Sequence, residues 1–201
     1  MRLGLFGGTF DPVHYGHLLL AECCREQCRL DQVWFVPCGQ PPHKRHELTP
    51  GPSRIEMLQL AVSGYAPFVV CPLEIERPGT SYTVDTLAEL RRTQPEAELF
   101  FLLGGDSLHD LPGWREPARI LELATLVVVR RPQSPPPDFS ILHPLLPAGQ
   151  SAPRRDLVVD MPQIDLSSSL LRERVATGQG IRFRTPRAVE KYIETHGLYK
   201  K

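Results

Sequence analysis

The sequence carries no excess of charge of either sign. Its 201 residues hold 23 Lys and Arg against 23 Asp and Glu, a formal net charge of zero. A general nucleic-acid binder usually shows a basic excess. The balance argues against one and leaves room for a small anionic ligand held by a few local cations. The chain also lacks any apolar run near the roughly 20 residues that cross a bilayer. Its first residues form no basic-then-apolar signal segment. No G-x-G-x-x-G follows the first apolar run and no Gly-Lys pair occurs anywhere. The first absence disfavours an NAD-dependent dehydrogenase and the second a P-loop enzyme. Cysteines number only five, at positions 23, 24, 28, 38 and 71. An odd, unpatterned set gives no disulfide framework and fits a reducing compartment, so the cytoplasm is expected. Cys24 and Cys28 stand at i, i+4, yet no Cys/His quartet accompanies them. They read as small buried apolar groups, and no protein metal site is predicted.

Proline, by contrast, is abundant at 21 residues, and apolar content is 41%. The length suits one domain with a full core, residues 1–201, and is too short for two large ones. Residues 132–153 read as a long Pro-rich loop within it.

The chain alternates strand-like and helix-like runs. Arg2 to Phe6 reads as a buried strand, Leu18 to Leu30 as a helix and Gln32 to Pro37 as a second strand stopped by proline. Strand, helix and strand within about 35 residues make a βαβ unit, so the sheet should be parallel. Further strands are expected at 68–71, 98–103, 125–129 and 156–160. Ser53 to Glu56 resembles a capping box opening a helix that runs to about Ser63, with a core face of Ile55, Leu58 and Val62 widened by Met57, Leu60 and Ala61. Helices are also expected over 84–92 and 117–123. The last helix should have Thr185 as its N-cap, Pro186 at its first position and Gly197 as its stop. The fold class is α/β: a Rossmann-like, doubly wound, mainly parallel sheet flanked by helices, with a small C-terminal helical part.

Between the first strand and first helix lies Gly7-Gly8-Thr9-Phe10-Asp11-Pro12-Val13-His14-Tyr15-Gly16-His17. Adjacent glycines let backbone approach a ligand closely. The helix start that follows turns unpaired N–H groups and a positive dipole end toward the turn, which suits phosphate. His14 and His17, three apart, share a face if both lie in the first turn. Later loops add candidates at strand ends, where open α/β sheets bind ligands. Pro41-Pro42 stiffens a loop leading to His43, Lys44, Arg45 and His46, either a solvated surface cluster or a phosphate clamp. Ser81-Tyr82-Thr83 can cap a helix or meet a carboxylate. Asp106, after Gly104-Gly105, can cap a helix or receive a ribose hydroxyl. Trp114, on a turn, can lid the core or stack on an aromatic ring. Ser167-Ser168-Ser169 can cap the helix that carries Arg172 or bind phosphate through its N–H groups.

Gly8 to His17 resembles the G-x-F-D-P-x-H-x-G-H signature of the nucleotidylyltransferase superfamily. Pro41 to Lys44, Ser81 to Thr83 with Thr86-Leu87, Gly105 to Leu108, Leu166 to Arg172 and Gly197 to Tyr199 follow in order. Together they resemble the bacterial nicotinate-nucleotide adenylyltransferase family over nearly the whole chain. The resemblance implies transfer of the adenylyl group of ATP to nicotinate mononucleotide, giving deamido-NAD and pyrophosphate without a covalent enzyme intermediate. It implies that His14, His17, Ser168 and Arg172 contact ATP phosphates, that Gly8, Thr9 and Phe10 line the nucleotide corner, and that Gly104 and Asp106 lie near adenosine. It places His43 and Lys44 near phosphate in the mononucleotide half, Thr83 at the nicotinate carboxylate and Trp114 on the pyridine ring. The catalytic set is then His14, His17, Lys44 and Arg172, with the imidazoles among the groups cancelling phosphate charge. Mg²⁺ is expected with ATP, held mainly by phosphate and water. No nucleic-acid or membrane partner is expected, and homo-oligomerisation is left open. Two departures stand out: the family's usual I-S-S-T-x-I-R is Leu-Ser-Ser-Ser-Leu-Leu-Arg here, and Cys38-Gly39 stands where the family can carry Asn. Rival readings are another adenylyl- or cytidylyltransferase of the same fold, acting on nicotinamide mononucleotide, pantetheine phosphate or glycerol phosphate, and a non-catalytic nucleotide-binding protein.

Overall fold

A computed structural model describes residues 1–42, 48–132, 135–146 and 157–200. Six strands form one parallel sheet: β1 (Arg2–Gly8), β2 (Gln32–Pro37), β3 (Phe68–Val70), β4 (Glu98–Gly104), β5 (Thr125–Arg130) and β6 (Leu157–Asp160), in the order β3-β2-β1-β4-β5-β6. The helices are α1 (Tyr15–Gln27), α2 (Gly51–Val62), α3 (Leu73–Glu76), α4 (Thr83–Thr93), α5 (Gly105–Asp110), α6 (Pro117–Leu123), α7 (Ser168–Ala176) and α8 (Arg187–Thr195). Short 3₁₀ turns cover Leu111–Gly113 and Phe139–Leu145.

Both sheet faces are covered, which is why the strands read as continuous apolar runs rather than alternating ones. Side chains still alternate. Phe100 and Leu102 of β4 join Phe6, Phe35, Cys24, Met57 and Leu171 on one side. Leu99, Phe101 and Leu103 join Leu5, Leu87, Leu90 and Ile120 on the other. Cys24 and Cys28 are buried in the first of these layers, and all five thiols are free. No helix among the described residues is long and apolar enough to cross a membrane.

Several helix starts differ from the sequence reading. Helix α1 begins at Tyr15 and ends at Gln27, three residues earlier at each end than expected. Helix α2 begins at Gly51 with Pro50 as N-cap, so Ser53 opens no capping box. Pro52 fits the first turn, where an N–H would be unsatisfied anyway. The buried positions of α2 are Arg54, Met57 and Leu58, and Leu60 is exposed. Arg54 turns inward because backbone carbonyls wait for it: Nε donates to Thr49 O and Nη1 to Thr9 O, both at 2.9 Å. At α8 the N-cap is Pro186, and the Thr185 hydroxyl donates instead to Val13 O at 2.7 Å. Of the expected last strand, Asp156 lies outside the described residues, as do residues 133–134 and 147–153 of the Pro-rich loop.

Candidate active site

The strand order reverses between β1 and β4, and recesses line the carboxyl edge there, as expected at a topological switch point. Three hollows stand out. The largest, about 610 Å³, is lined by Gly8, Thr9, Cys38, Glu74, Ser81, Thr83, Trp114 and Arg115. A second, about 240 Å³, takes His14, His17, Ser167, Ser168 and Arg131. A third, about 130 Å³, takes Gly104, Asp106, Arg130 and Arg131. The turn after β1 contributes to the first two and Arg131 to the last two.

The histidine pocket is built at the start of α1. His14 is the N-cap in extended conformation, and its N–H donates to His17 Nδ1 at 3.2 Å. Accepting at Nδ1 places the His17 proton on Nε2. The two rings stack with centroids 3.7 Å apart. Gly16 permits this, since a Cβ there would lie 3.0 Å from the His14 ring. Burial lowers the His14 pKa to about 4. Burial, then repulsion from His14, holds His17 well below its ordinary value. Both imidazoles are therefore neutral near pH 7 in the ligand-free protein, and what they present is hydrogen-bonding nitrogens rather than standing charge. Among the described residues His14 Nδ1 is buried without a hydrogen-bond partner, an orphan polar atom of the kind that marks functional positions.

The Phe10 side chain turns away from the corner. Its ring is buried, 1% exposed, against Phe6, Phe35 and His17, with its backbone at φ +47°. The reason is Gly8, whose missing Cβ leaves room for that ring. At α7, Ser167 is the N-cap and accepts from Leu170 N–H. Ser168 faces the histidine pocket while its hydroxyl donates to Pro12 O at 2.9 Å. Arg172 donates through Nη1 to Asp11 O at 2.7 Å and through Nη2 to Ser169 Oγ at 3.2 Å. Part of its guanidinium thus holds the turn after β1.

In the large cavity, Thr83 opens α4 and Trp114 stands edge-on to Phe101, ring centroids 6.0 Å apart. The α4 N-cap is Tyr82, without a side-chain cap. Ser81, expected to cap, instead accepts from Gly39 and Gln40 N–H at 3.2 and 3.3 Å, tying the loop after β2 to α4. Gly39 is required: a Cβ would sit 2.1 Å from Glu74 O. Burial first, then the nearby Glu74 carboxylate, pushes the Cys38 thiol up to about 12, so it stays protonated. Arg115 lies over the Tyr82 ring at 4.7 Å. Gly104 is the N-cap of α5, so Asp106 does not cap it; Asp106 lies exposed in the third hollow. His43 and Lys44 lie outside the described residues.

The sequence reading missed Arg54, Glu74, Arg115 and Arg131. Arg54 left one signal: it stands at i, i+3 and i+4 with Met57 and Leu58, on the buried face. The other three sit in loops or a four-residue helix, where no periodicity singles out a residue. Among the described residues, no three His, Cys, Asp or Glu side chains group as a metal site.

Residues 5–174 match the sequence profile of the cytidylyltransferase-like family. Two curated relatives carry the name "Probable nicotinate-nucleotide adenylyltransferase". The one from Thermomicrobium roseum is 48% identical over 99% of this chain and 92% of its own length. The one from Thermus thermophilus is 46% identical over the full length of both. Among solved structures, Plasmodium falciparum nicotinic acid mononucleotide adenylyltransferase complexed with NaAD has a similar fold, with a TM-score of 0.79 at 21% identity over 98% of this chain and 97% of that one.

Proposed function

The chain belongs to the nicotinate-nucleotide adenylyltransferase family, within the cytidylyltransferase-like group, and from that premise we propose how its residues share the work of transferring the adenylyl group of ATP to nicotinate mononucleotide. One observation carries the division of labour. The histidine pocket shares Arg131 with a small hollow bearing Gly104 and Asp106, and the turn after β1 that carries His14 also lines, through Thr9, a large cavity bearing Trp114 and Thr83. A triphosphate crossing the histidine pocket would place its adenosine on the Asp106 side and leave the α-phosphorus open to a mononucleotide from the Trp114 side.

The attacking group is the mononucleotide phosphate, a dianion above a second pKa near about 6. It needs no general base. It needs in-line placement and relief of repulsion between anions. His17 offers its Nε2–H, and the start of α7 offers N–H groups outside the helical ladder, among them those of Ser168 and Ser169. Neutral imidazoles suit a desolvated pocket because they cost less to bury than cations. The approaching triphosphate pulls their pKa upward, so charge arrives with the ligand. Lys44 and Arg172 supply standing positive charge. Mg²⁺ bound to ATP would screen the triphosphate; phosphate and water would be its main ligands.

In the acceptor half, the α4 N-terminus at Thr83 faces the nicotinate carboxylate and Trp114 stacks on the ring. The test is turnover of ATP with nicotinate mononucleotide and, separately, with nicotinamide mononucleotide, following pyrophosphate. Deamido-NAD should form at the higher kcat/KM. Faster turnover of the amide would overturn the acceptor assignment, and no pyrophosphate with either would overturn catalysis.

A further inference from the structure

The turn that carries the histidines is held by distant residues. Asp11 is 1% exposed, and both carboxylate oxygens are occupied: Oδ1 accepts from the Tyr199 hydroxyl at 2.6 Å and Oδ2 from Thr49 N–H at 3.2 Å. Beside it, the carbonyls of Asp11, Pro12 and Val13 accept from Arg172, Ser168 and Thr185. Tyr15 N–H, one residue past His14, donates to Arg184 O. Residues 168–199 therefore fix a turn more than 150 positions earlier in the chain.

Tyr199 differs from the other braces because it acts on a buried charge. Among the described residues, no Lys or Arg forms an ion pair with Asp11. Its carboxylate is held by hydrogen bonds with the Arg54 guanidinium nearby, and losing one bond leaves part of a buried anion unsatisfied. The carboxylate can answer by rotating or admitting water, and either response shifts a backbone that ends three residues later at His14. A misplacement of about 1 Å can cost roughly 100-fold in rate.

We propose that Tyr199 is a positioning residue for adenylyl transfer, its hydroxyl fixing the Asp11 carboxylate and, through it, the backbone that aims His14 and His17. This rests on the function proposed above. The test compares wild type with Tyr199→Phe, which keeps the ring packed against the core and removes only the hydroxyl, with its bonds to Asp11 and Thr49. Expected is a fall in kcat of about 10-fold, with KM for both substrates within about two-fold and Tm within a few degrees. Asp11→Asn should lower kcat similarly, and the double variant should add less than about two-fold to either single one. An unchanged kcat in Tyr199→Phe, or multiplicative losses in the double variant, would overturn the role. So would a kcat loss that only accompanies a large fall in Tm. Wild-type turnover in the same assay tests the underlying activity separately, so the two failures are distinguishable.

Discussion

The histidine pocket draws both imidazoles from one turn, His14 to His17, and braces that turn from the C-terminal residues. The large cavity takes Thr9, Cys38, Glu74, Ser81, Thr83 and Trp114 from separate segments, and none of these elements alone makes a site. The pocket is a small, tightly hydrogen-bonded place with neutral, desolvated rings. The cavity is wider and lined by an aromatic face, a helix start and a protonated thiol. In the proposed function the difference separates reaction from substrate: the pocket acts on developing phosphate charge, and the cavity selects what brings the phosphate.

The largest expected effect lies in the pocket. His17→Ala should lower kcat by about 100- to 1,000-fold, the usual loss for one preorganised donor, with mononucleotide KM within about three-fold. Steady-state kinetics with both substrates checks this, and a loss confined to KM would erase the contrast between the regions. Trp114→Ala should act in the opposite sense. Mononucleotide KM should rise about 10-fold, as expected for a lost stacking partner, with kcat and ATP KM little changed. A selective loss of ATP affinity would move Trp114 to the other half-site.

The smallest effect at neutral pH concerns charge. His14 has its folded pKa lowered to about 4 from an ordinary 6.5. The unfolded chain therefore binds the extra proton first. The stability this group contributes is fully present above pH 6.5 and lost as pH falls toward 4, by as much as roughly 3 kcal/mol. Denaturant unfolding of the ligand-free protein should show the fall, and His14→Asn should flatten it while leaving stability near pH 7 similar. An identical acid slope in the variant would mean that the ring is not held neutral by burial.

Legibility in the sequence followed the same division. The Gly-Gly turn, the i, i+3 histidines and the apolar strands were readable because their signals are local or periodic. Arg54 read as part of a capping box, though burial and two hydrogen bonds to backbone carbonyls outweigh that local preference. Thr185 and Ser81 read as helix caps, yet their hydroxyls serve Val13 and the loop after β2. A hydroxyl bonds whichever backbone group the fold brings near, and sequence spacing does not report that. Phe10 read as a lining residue because its neighbours are. Only packing shows that Gly8 lets its ring turn into the core.

Taken alone, the sequence determined the parallel α/β fold and a Gly-Gly turn that leads into two imidazoles at a helix start, because strand periodicity and an unbroken motif are written in consecutive residues. Tertiary structure decided the charge state of those imidazoles and the tautomer of His17. It also decided the link from Tyr199 to Asp11 and the placing of three hollows along one sheet edge. Each of these depends on burial or on contacts between residues far apart in the chain, which local propensity does not encode.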